Sequence, residues 1–542
     1  MAKKSLVTSA AILGVAGIIV KILGACFRIP LTNWIGAEGM ANYAPAYAVY
    51  SVLLVISTAG LPVATSKMVA ERCAVGQFRE AHRVFRISLI LMTALGVAGA
   101  LVVMLCAGPI AEFEKVPGSS LALMACAPAL ILVPIMSAYR GYFQGQQNMN
   151  PTAISQVIEQ IFRVGCGLAL AYYMMNASVL SAAYDPGARG AAGGTFGATA
   201  GGVGGLITML IIFSMNKKEI YDRMARDVTT ARESVKEILK KIIIIAIPIT
   251  LGASLLPIMN AIDAAIVNRR LIFTGWSMDA AHELYGQITS MADPIVGFPQ
   301  VLMQAIIVSI VPMVAAAKRL DDMEEVKNTI NIGLRMTTII GFPCAVGLFV
   351  LAQQALLLLY PLQRESAISA TPCLQVLAIG FIFLSLTTTL TGVLQGLGKQ
   401  MWPVINLAIG IAIKLILTWV LVGIHSLNIV GAALGTLCAY LIAAFLDYRC
   451  AKKFTGVTVS VKQTVIKPFL SALAMGIVVF AAYKVVFMIL GSNTLSTLVA
   501  ILVGVCVYGV LIIKTHAIRR DELLEISLGR KIVRLCDKLH LW

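Results

Sequence analysis

Residues 87–107 read ISLILMTALGVAGALVVMLCA, an apolar run that contains no charged side chain. A helix of that length rises about 30 Å, which matches the hydrocarbon core of a bilayer. Transmembrane strands alternate in polarity, so continuous apolar runs indicate membrane-spanning helices. The pattern recurs, and we predict an all-α integral membrane protein with fourteen transmembrane helices, which begin near Thr8, Ala41, Ile87, Ser119, Pro151, Ala191, Ile242, Tyr285, Met336, Thr371, Pro403, Leu427, Pro468 and Asn493.

The composition supports this fold class. Of the 542 residues, 59% are hydrophobic and 13% are charged, whereas soluble domains carry about 25% charged residues. These values exclude a water-soluble enzyme, a secreted disulfide scaffold and a disordered regulator. The eleven cysteines and five histidines are scattered, without a CxxC pair. We therefore expect no disulfide framework, no metal site, no histidine-centred catalytic site and no cofactor.

The basic residues indicate the orientation in the membrane. Lys plus Arg outnumber Asp plus Glu by 43 to 26, which gives a net charge of +17. When the spans are numbered from a cytoplasmic start, most basic residues lie on the inner side, as the positive-inside rule requires. We predict a cell-membrane protein with both termini in the cytoplasm. The basic inner loop 216–241 is predicted to contact anionic headgroups, not nucleic acid. The outer side has only Lys115, Arg189, Arg269, Arg270 and Arg364.

The sequence also predicts the structure of the first span and of the C-terminal segment. The first span contains Lys21 and is followed by no small-residue cleavage site, so we predict a retained helix and not a removed signal peptide. Residues 519–542 mix leucine, isoleucine and valine with basic residues. This pattern predicts an amphipathic helix on the cytoplasmic membrane surface, with a partner-binding helix as the alternative.

An internal duplication is visible at a spacing of about 250 residues. GYFQG at 141–145 matches GVLQG at 392–396, and Arg163 matches Lys414. The other matching pairs are Pro62 with Pro312, Arg86 with Arg335, and the Gly-Ala-Ala runs at 190–192 and 431–433. Each repeat holds six spans, so both enter the membrane from the same side and are related by a pseudo-twofold axis along the membrane normal.

The duplication predicts the domain organisation. We expect a six-helix lobe at 1–236, a second at 237–455, and an addition at 456–542 that holds helices thirteen and fourteen and the cytoplasmic tail. A substrate cavity is expected between the lobes, near the bilayer midplane.

Seven ionisable residues lie inside the predicted spans. Each costs about 2.5 to 3.5 kcal/mol at mid-membrane, so these side chains should face a cavity or each other. Lys21 and Arg28 are two turns apart on one helix face, and Glu159 and Arg163 have the i,i+4 spacing of an ion pair. The set is Lys21, Arg28, Glu159, Arg163, Asp263, Asp293 and Lys414.

Three of the cations fall at similar depths and are predicted to converge on the cavity. These are Lys21, Arg163 and Lys414. Phosphate groups are the anions that Arg and Lys bind best, so an anionic cargo would balance the cluster. The alternative is that each cation forms a structural ion pair or extends to the membrane surface. Asp263 and Asp293 either bind a coupling cation or proton, or pair structurally.

Five segments resemble a known transporter group. They are KILGACFRIPLTNWIGAEGMANY (21–43), STAGLPVATSKMVAE (57–71), PTAISQVIEQIFRV (151–164), IPITLGASLLPIMNAID (247–263) and NIVGAALGT (428–436). With them the chain resembles the multidrug/oligosaccharidyl-lipid/polysaccharide (MOP) exporter superfamily, and within it the branch of stage V sporulation protein B, YtgP and the MurJ-like lipid II flippases.

The resemblance implies two six-helix lobes around a V-shaped cavity, alternating access, and a lipid-linked cell-wall precursor as cargo. It also implies cargo-binding cations on the first helix, where Lys21 and Arg28 lie. Flippases of this kind carry an arginine in helix eight, which this chain lacks, so Arg163 and Lys414 are predicted to supply that charge. For the sodium site of some relatives, Asp263 matches the carboxylate of helix seven, and helix eleven offers Asn406.

We therefore predict a flippase, not an enzyme, that moves undecaprenyl-pyrophosphate-linked peptidoglycan precursor from the inner to the outer leaflet. The expected partners are this lipid-linked oligosaccharide pyrophosphate, membrane lipids and cell-wall synthesis proteins. Three alternatives stay open: a flippase for another lipid-linked glycan, a cation-coupled multidrug antiporter, and a scaffold for cell-wall or spore assembly. No Gly-Lys-Ser motif for ATP occurs, so no built-in ATPase is expected.

Overall fold

A computed structural model describes residues 2–177, 184–227 and 233–517. The predicted amphipathic helix at 519–542 lies outside these ranges. Within them, every regular element is helical. In chain order the helices are α1 Ala2–Thr58, α2 Gly60–Ala74, α3 Phe78–Glu114, α4 Ser119–Cys126, α5 Ala129–Gly145, α6 Asn150–Asn176, α7 Pro186–Ala225, α8 Val235–Phe273, α9 Met278–Gly286, α10 Asp293–Arg319, α11 Met323–Val350, α12 Ala352–Leu359, α13 Arg364–Ser369, α14 Thr371–Gly396, α15 Met401–Val422, α16 Val430–Thr455, α17 Lys467–Leu490 and α18 Asn493–Lys514, with π-helical turns at Gln287–Ala292 and Lys462–Ile466.

The first helix contains a break at a glycine. Gly36 has a φ of 74° and a ψ of 174°, a backbone conformation that is essentially restricted to glycine. The residues on either side of it are helical. The break therefore divides α1 into the first predicted span and the beginning of the second, which continues into α2.

The described helices account for the predicted spans. Thirteen stretches are long and apolar enough to cross a membrane, and the first of them, Ala16–Ala74, is the one divided at Gly36. Some spans contain more than one element: α4 and α5 form Ser119–Gly145, and α9, a π-helical turn and α10 form Met278–Arg319. The prediction of an all-α membrane protein is confirmed.

The helices group into two compact units, which divide between Gly286 and Gln287. In the first unit, α8 packs against α1, α2 and α3. In the second unit, α14 packs against α10, α11 and α16, α15 packs against α16, and α17 packs against α11 and α18. The predicted division into lobes at 1–236 and 237–455, with an addition at 456–542, concerns the sequence repeat and stays a prediction.

Helices α6 and α7 pack closely at Glu159 and Arg163, two of the charged residues inside the predicted spans. A Cβ atom added to Gly197 would lie 2.7 Å from the carbonyl oxygen of Arg163, and one added to Gly201 would lie 2.8 Å from that of Glu159. Both distances are shorter than van der Waals contact, so these positions require glycine. The small residues of α7 thus bring it close to α6, as is usual between helices in membranes.

Candidate functional site

The Arg163 side chain points into a group of aromatic residues of α1. Its guanidinium carbon lies 4.9 Å from the ring centroid of Tyr47 and 5.9 Å from that of Phe27. The hydroxyls of Tyr43 and Tyr47 also interact electrostatically with it. The two tyrosine rings stack on each other with centroids 5.6 Å apart. Cation–π contacts of this kind stabilise a cation without neutralising it, by roughly 0.5 to 2 kcal/mol.

Arg28 belongs to the same group of residues. It is half-buried, follows Phe27 in α1, and acts electrostatically on the buried Tyr43 hydroxyl, as Arg163 does. The first unit therefore places two arginines, one from α1 and one from α6, around Tyr43. We call Arg28, Arg163 and the aromatic residues Phe27, Tyr43 and Tyr47 the arginine–tyrosine cluster.

Glu159 does not pair with Arg163, so that prediction is wrong. Its Oε2 lies 2.9 Å from Nη2 of Arg140, on α5. The Nε of Arg140 donates a second hydrogen bond to the hydroxyl of Ser155, at 2.9 Å. The i,i+4 rule offered a local partner, but α5 supplies a guanidinium across the helix interface. Among the described residues, no carboxylate oxygen lies within 4.0 Å of an Arg163 nitrogen, and the Arg163 side chain contacts the tyrosines instead.

Arg140 was missed by the sequence interpretation. It immediately precedes the GYFQG repeat landmark near the end of its span. A cation at a span end is usually counted as an inner-surface charge. In the structure its side chain is only 12% exposed. The ends of the spans in this chain thus carry buried polar contacts as well as surface charges.

The two lysines of the predicted site differ in their surroundings. Lys21 is exposed on α1, seven residues before Arg28. Lys414 is only 4% exposed and lies on the buried face of α15. The Lys414 side chain packs against α16: a Cβ atom added to Gly435 would lie 3.5 Å from the Cγ of Lys414. The two lysines belong to different units, and their convergence on one cavity stays a prediction.

The residues considered for ion coupling are also distributed between the units. Asp263 is half-buried in α8 of the first unit, and Asp293 is exposed at the start of α10 in the second. Asn406 is 4% exposed in α15. Among the described residues, no group of three or more His, Cys, Asp or Glu side chains is arranged to hold a metal ion. A coupling role for these three residues stays a prediction.

Asn406 has a partner that the sequence interpretation did not consider. Its Nδ2 donates a hydrogen bond to Oδ1 of Asp447 on α16, at 2.8 Å. The Asp447 side chain is fully buried, and its Oδ2 has no hydrogen-bond partner among the described residues. The resemblance points to an acid on helix eleven, whereas the acid that contacts Asn406 lies on helix twelve. The spacing of Asp447 from the end of its span gave no reason to single it out.

A charged contact joins α2 to α8 through the segment just before α8. Glu233 accepts hydrogen bonds from Nη2 of Arg72, at 2.5 Å, and from Nζ of Lys241, at 2.8 Å. The hydrogen bond from Lys241 and the charge of Arg72 lower the pKa of Glu233 below its ordinary value. One basic side chain of the inner loop 216–241, that of Lys241, therefore forms an ion pair with a carboxylate of the same loop.

Comparisons with known proteins agree with this architecture. Residues 6–318 match the family model described as polysaccharide biosynthesis protein, and residues 288–420 match the MatE model. The lipid II flippase MurJ of Bacillus subtilis (strain 168) is 28% identical over 485 residues, which cover 87% of this chain and 86% of the relative. Stage V sporulation protein B of the same organism is 25% identical over 544 residues, covering 98% of this chain and 100% of the relative.

Solved structures show the same fold at lower identity. The inward closed conformation of the lipid II flippase MurJ has a TM-score of 0.66 with 16% identity, over 92% of this chain and 97% of that structure. An inward-facing multidrug resistance MATE family transporter of the MOP superfamily has a TM-score of 0.60 with 15% identity, over 81% of this chain and 94% of that structure.

Proposed function

Because this chain belongs to the polysaccharide biosynthesis protein family, in the MurJ and stage V sporulation protein B branch of the MOP superfamily, we propose that it flips lipid II. The cargo is the undecaprenyl-pyrophosphate-linked peptidoglycan precursor, which crosses from the inner to the outer leaflet by alternating access. The observation that carries this proposal is the arginine–tyrosine cluster, where no carboxylate of the described residues forms an ion pair with Arg163.

The cluster suits a pyrophosphate for physical reasons. A guanidinium binds phosphate oxygens through two parallel hydrogen bonds, which are charge-assisted and directional. The tyrosine contacts hold the Arg163 side chain in place before the ligand arrives, so less conformational entropy is lost on binding. Arg28 adds a second cation beside Tyr43. Lys21, exposed on the same helix, is proposed to attract the anionic headgroup.

Two other cargo classes compete with lipid II. A flippase for another lipid-linked glycan would use the same cluster, because the pyrophosphate is common to such lipids. A cation-coupled multidrug antiporter is favoured by the MatE match and the MATE structures. A cationic drug would, however, be repelled by Arg28 and Arg163. The cluster therefore favours the anionic lipid.

Genetic replacement tests the proposal. Expression of this chain in a bacterium depleted of its own lipid II flippase is expected to restore growth and cell shape, and an Arg163→Gln variant at equal abundance is expected to restore them poorly. A chain that accumulates in the membrane but restores nothing would point to another glycan as the cargo. The matched test for that case is a strain depleted of a teichoic acid flippase.

Thiol labelling tests the proposed orientation, in which both termini are cytoplasmic. In a background without the eleven native cysteines, Arg364→Cys should react with a membrane-impermeant thiol reagent in intact cells. Ala225→Cys should react only after the cells are opened. Both side chains are exposed in the structure, so accessibility reports the side of the membrane. The reverse pattern would contradict the proposed direction of transport.

A further inference from the structure

Asp447 is a fully buried acid in the second unit, and only one of its two carboxyl oxygens has a hydrogen-bond partner. Asn406 donates to Oδ1 at 2.8 Å, and in the part of the chain that the structure describes no donor lies within hydrogen-bond distance of Oδ2. The same Asn406 nitrogen lies 3.6 Å from Sγ of Cys450. Burial without a counter-ion strongly disfavours the charged form of a carboxyl group.

No cation of residues 2–177, 184–227 or 233–517 forms an ion pair with this acid. Within the described ranges no lysine, arginine or histidine nitrogen lies within 4.0 Å of an Asp447 oxygen. The helices packed against α16 are α11, α14 and α15. Lys414 lies two helical turns beyond Asn406 on α15. The titratable and charged groups of these helices are Lys414 on α15, Cys373 on α14, Glu324, Glu325, Lys327, Arg335 and Cys344 on α11, and Cys438, Tyr440, Tyr448, Arg449, Cys450, Lys452 and Lys453 on α16 itself.

The first unit shows the contrasting arrangement. Ser155 and Asn406 occupy matching positions of the sequence repeat, at the same spacing as Arg163 and Lys414. Beside Ser155, Arg140 neutralises the acid Glu159. Beside Asn406, the acid Asp447 receives only an amide hydrogen bond. A carboxyl group that lacks both a cation and a second donor is suited to bind a proton.

We propose that Asp447 is a proton-binding site of the second unit. The proton resides on Oδ2 while the α15–α16 contact is closed, and it leaves when that contact opens to water. No covalent bond other than the O–H bond is made or broken. That the proton drives cargo movement is a second step, which rests on the proposed flippase function.

Infrared spectroscopy of the purified full-length protein tests proton binding without a transport assay. In the difference spectrum of wild type minus Asp447→Asn, recorded at mildly acidic pH, the C=O stretching band of a protonated carboxyl group should appear, and the subtraction removes the contribution of Glu114, another buried acid. Asp447→Asn is an uncharged isostere, and the matched subtraction for Asp321→Asn, at an exposed acid, should show no such band. In an Asn406→Leu background the band should remain but shift its frequency, because the hydrogen bond to the carboxyl group has gone. A wild type minus Asp447→Asn spectrum without the band overturns the proposal.

Transport in vesicles tests the coupling step separately. The rate for the wild type should change several-fold when a pH gradient is imposed, and the rate for Asp447→Asn should not change. An equal response in both proteins contradicts coupling through Asp447. If neither protein transports the lipid at all, the proposed function fails, while the infrared result still decides the proton site.

Discussion

Replacing Arg163 with glutamine should weaken binding of a lipid-linked pyrophosphate by roughly ten- to a hundred-fold. The change removes a charge-assisted contact worth about 1.5 to 3 kcal/mol. The protein should still accumulate in the membrane, because Glu159 keeps its own partner, Arg140. The measurement is binding of an undecaprenyl-pyrophosphate analogue to the purified variant, together with its membrane abundance.

Two matched variants sharpen this test. Arg163→Lys keeps the charge but loses the two-pronged hydrogen bonding, so its affinity should be intermediate. Lys484→Gln removes a cation from α17, where Lys484 is exposed and lies 4.9 Å from the Phe480 ring centroid, and it should bind normally. Unchanged affinity in a well-expressed Arg163→Gln protein would show that the pyrophosphate binds elsewhere.

Replacing Glu159 with leucine should destabilise the protein by about 1 to 3 kcal/mol, because its ion pair with Arg140 is largely but not fully buried. The change leaves Arg140 buried without its carboxylate, with only the Ser155 hydroxyl as a partner. The expected result is low membrane abundance and a reduced temperature of thermal unfolding. The double variant Arg140→Met/Glu159→Leu should recover most of the loss, because replacing a whole buried ion pair by apolar residues is often neutral.

This second prediction separates a structural pair from a cargo site. If Glu159→Leu is as abundant and as stable as the wild type, the Arg140–Glu159 pair is not structurally important. If the double variant stays as unstable as the single variant, the loss does not come from an orphaned charge. In either case the assignment of Arg140 and Glu159 as a structural ion pair would need revision.

Most of the fold could be predicted from the sequence because membrane spans are long and continuous. The run at 87–107 lies within α3, and the starts predicted near Ser119, Thr371 and Asn493 coincide with the first residues of α4, α14 and α18. Hydropathy did not reveal that a single glycine separates the first two spans. The break at Gly36 depends on backbone conformation, to which apolar periodicity is insensitive.

The candidate site could be predicted only in part. Charge inside apolar runs singles out Arg28 and Arg163, and the structure places both near Tyr43. The tyrosines themselves look like ordinary span aromatics, and only the packing of α1 against α6 shows that they contact an arginine. The i,i+4 spacing also predicts the wrong partner for Glu159. The carboxylate pairs with Arg140 on α5 and not with Arg163, one turn away on its own helix.

The buried acid of α16 was overlooked for a related reason. Asp447 lies two turns before the end of its helix, near Arg449, Lys452 and Lys453, where charged residues normally reach the membrane surface. Its burial depends on α15, whose Asn406 faces it. Contacts between helices therefore determine which of the charged residues near span ends are functional candidates.

Lipid flipping in reconstituted vesicles tests the central claim most directly. Vesicles would contain the purified protein and a fluorescent lipid II, and a membrane-impermeant reductant would report the fraction of probe in the outer leaflet over time. We predict that the wild type moves inner-leaflet lipid II outward, that Arg163→Gln does so much more slowly at equal protein content, and that a fluorescent phospholipid without pyrophosphate is not moved. Equal accessibility of lipid II in vesicles with and without the protein would contradict the account.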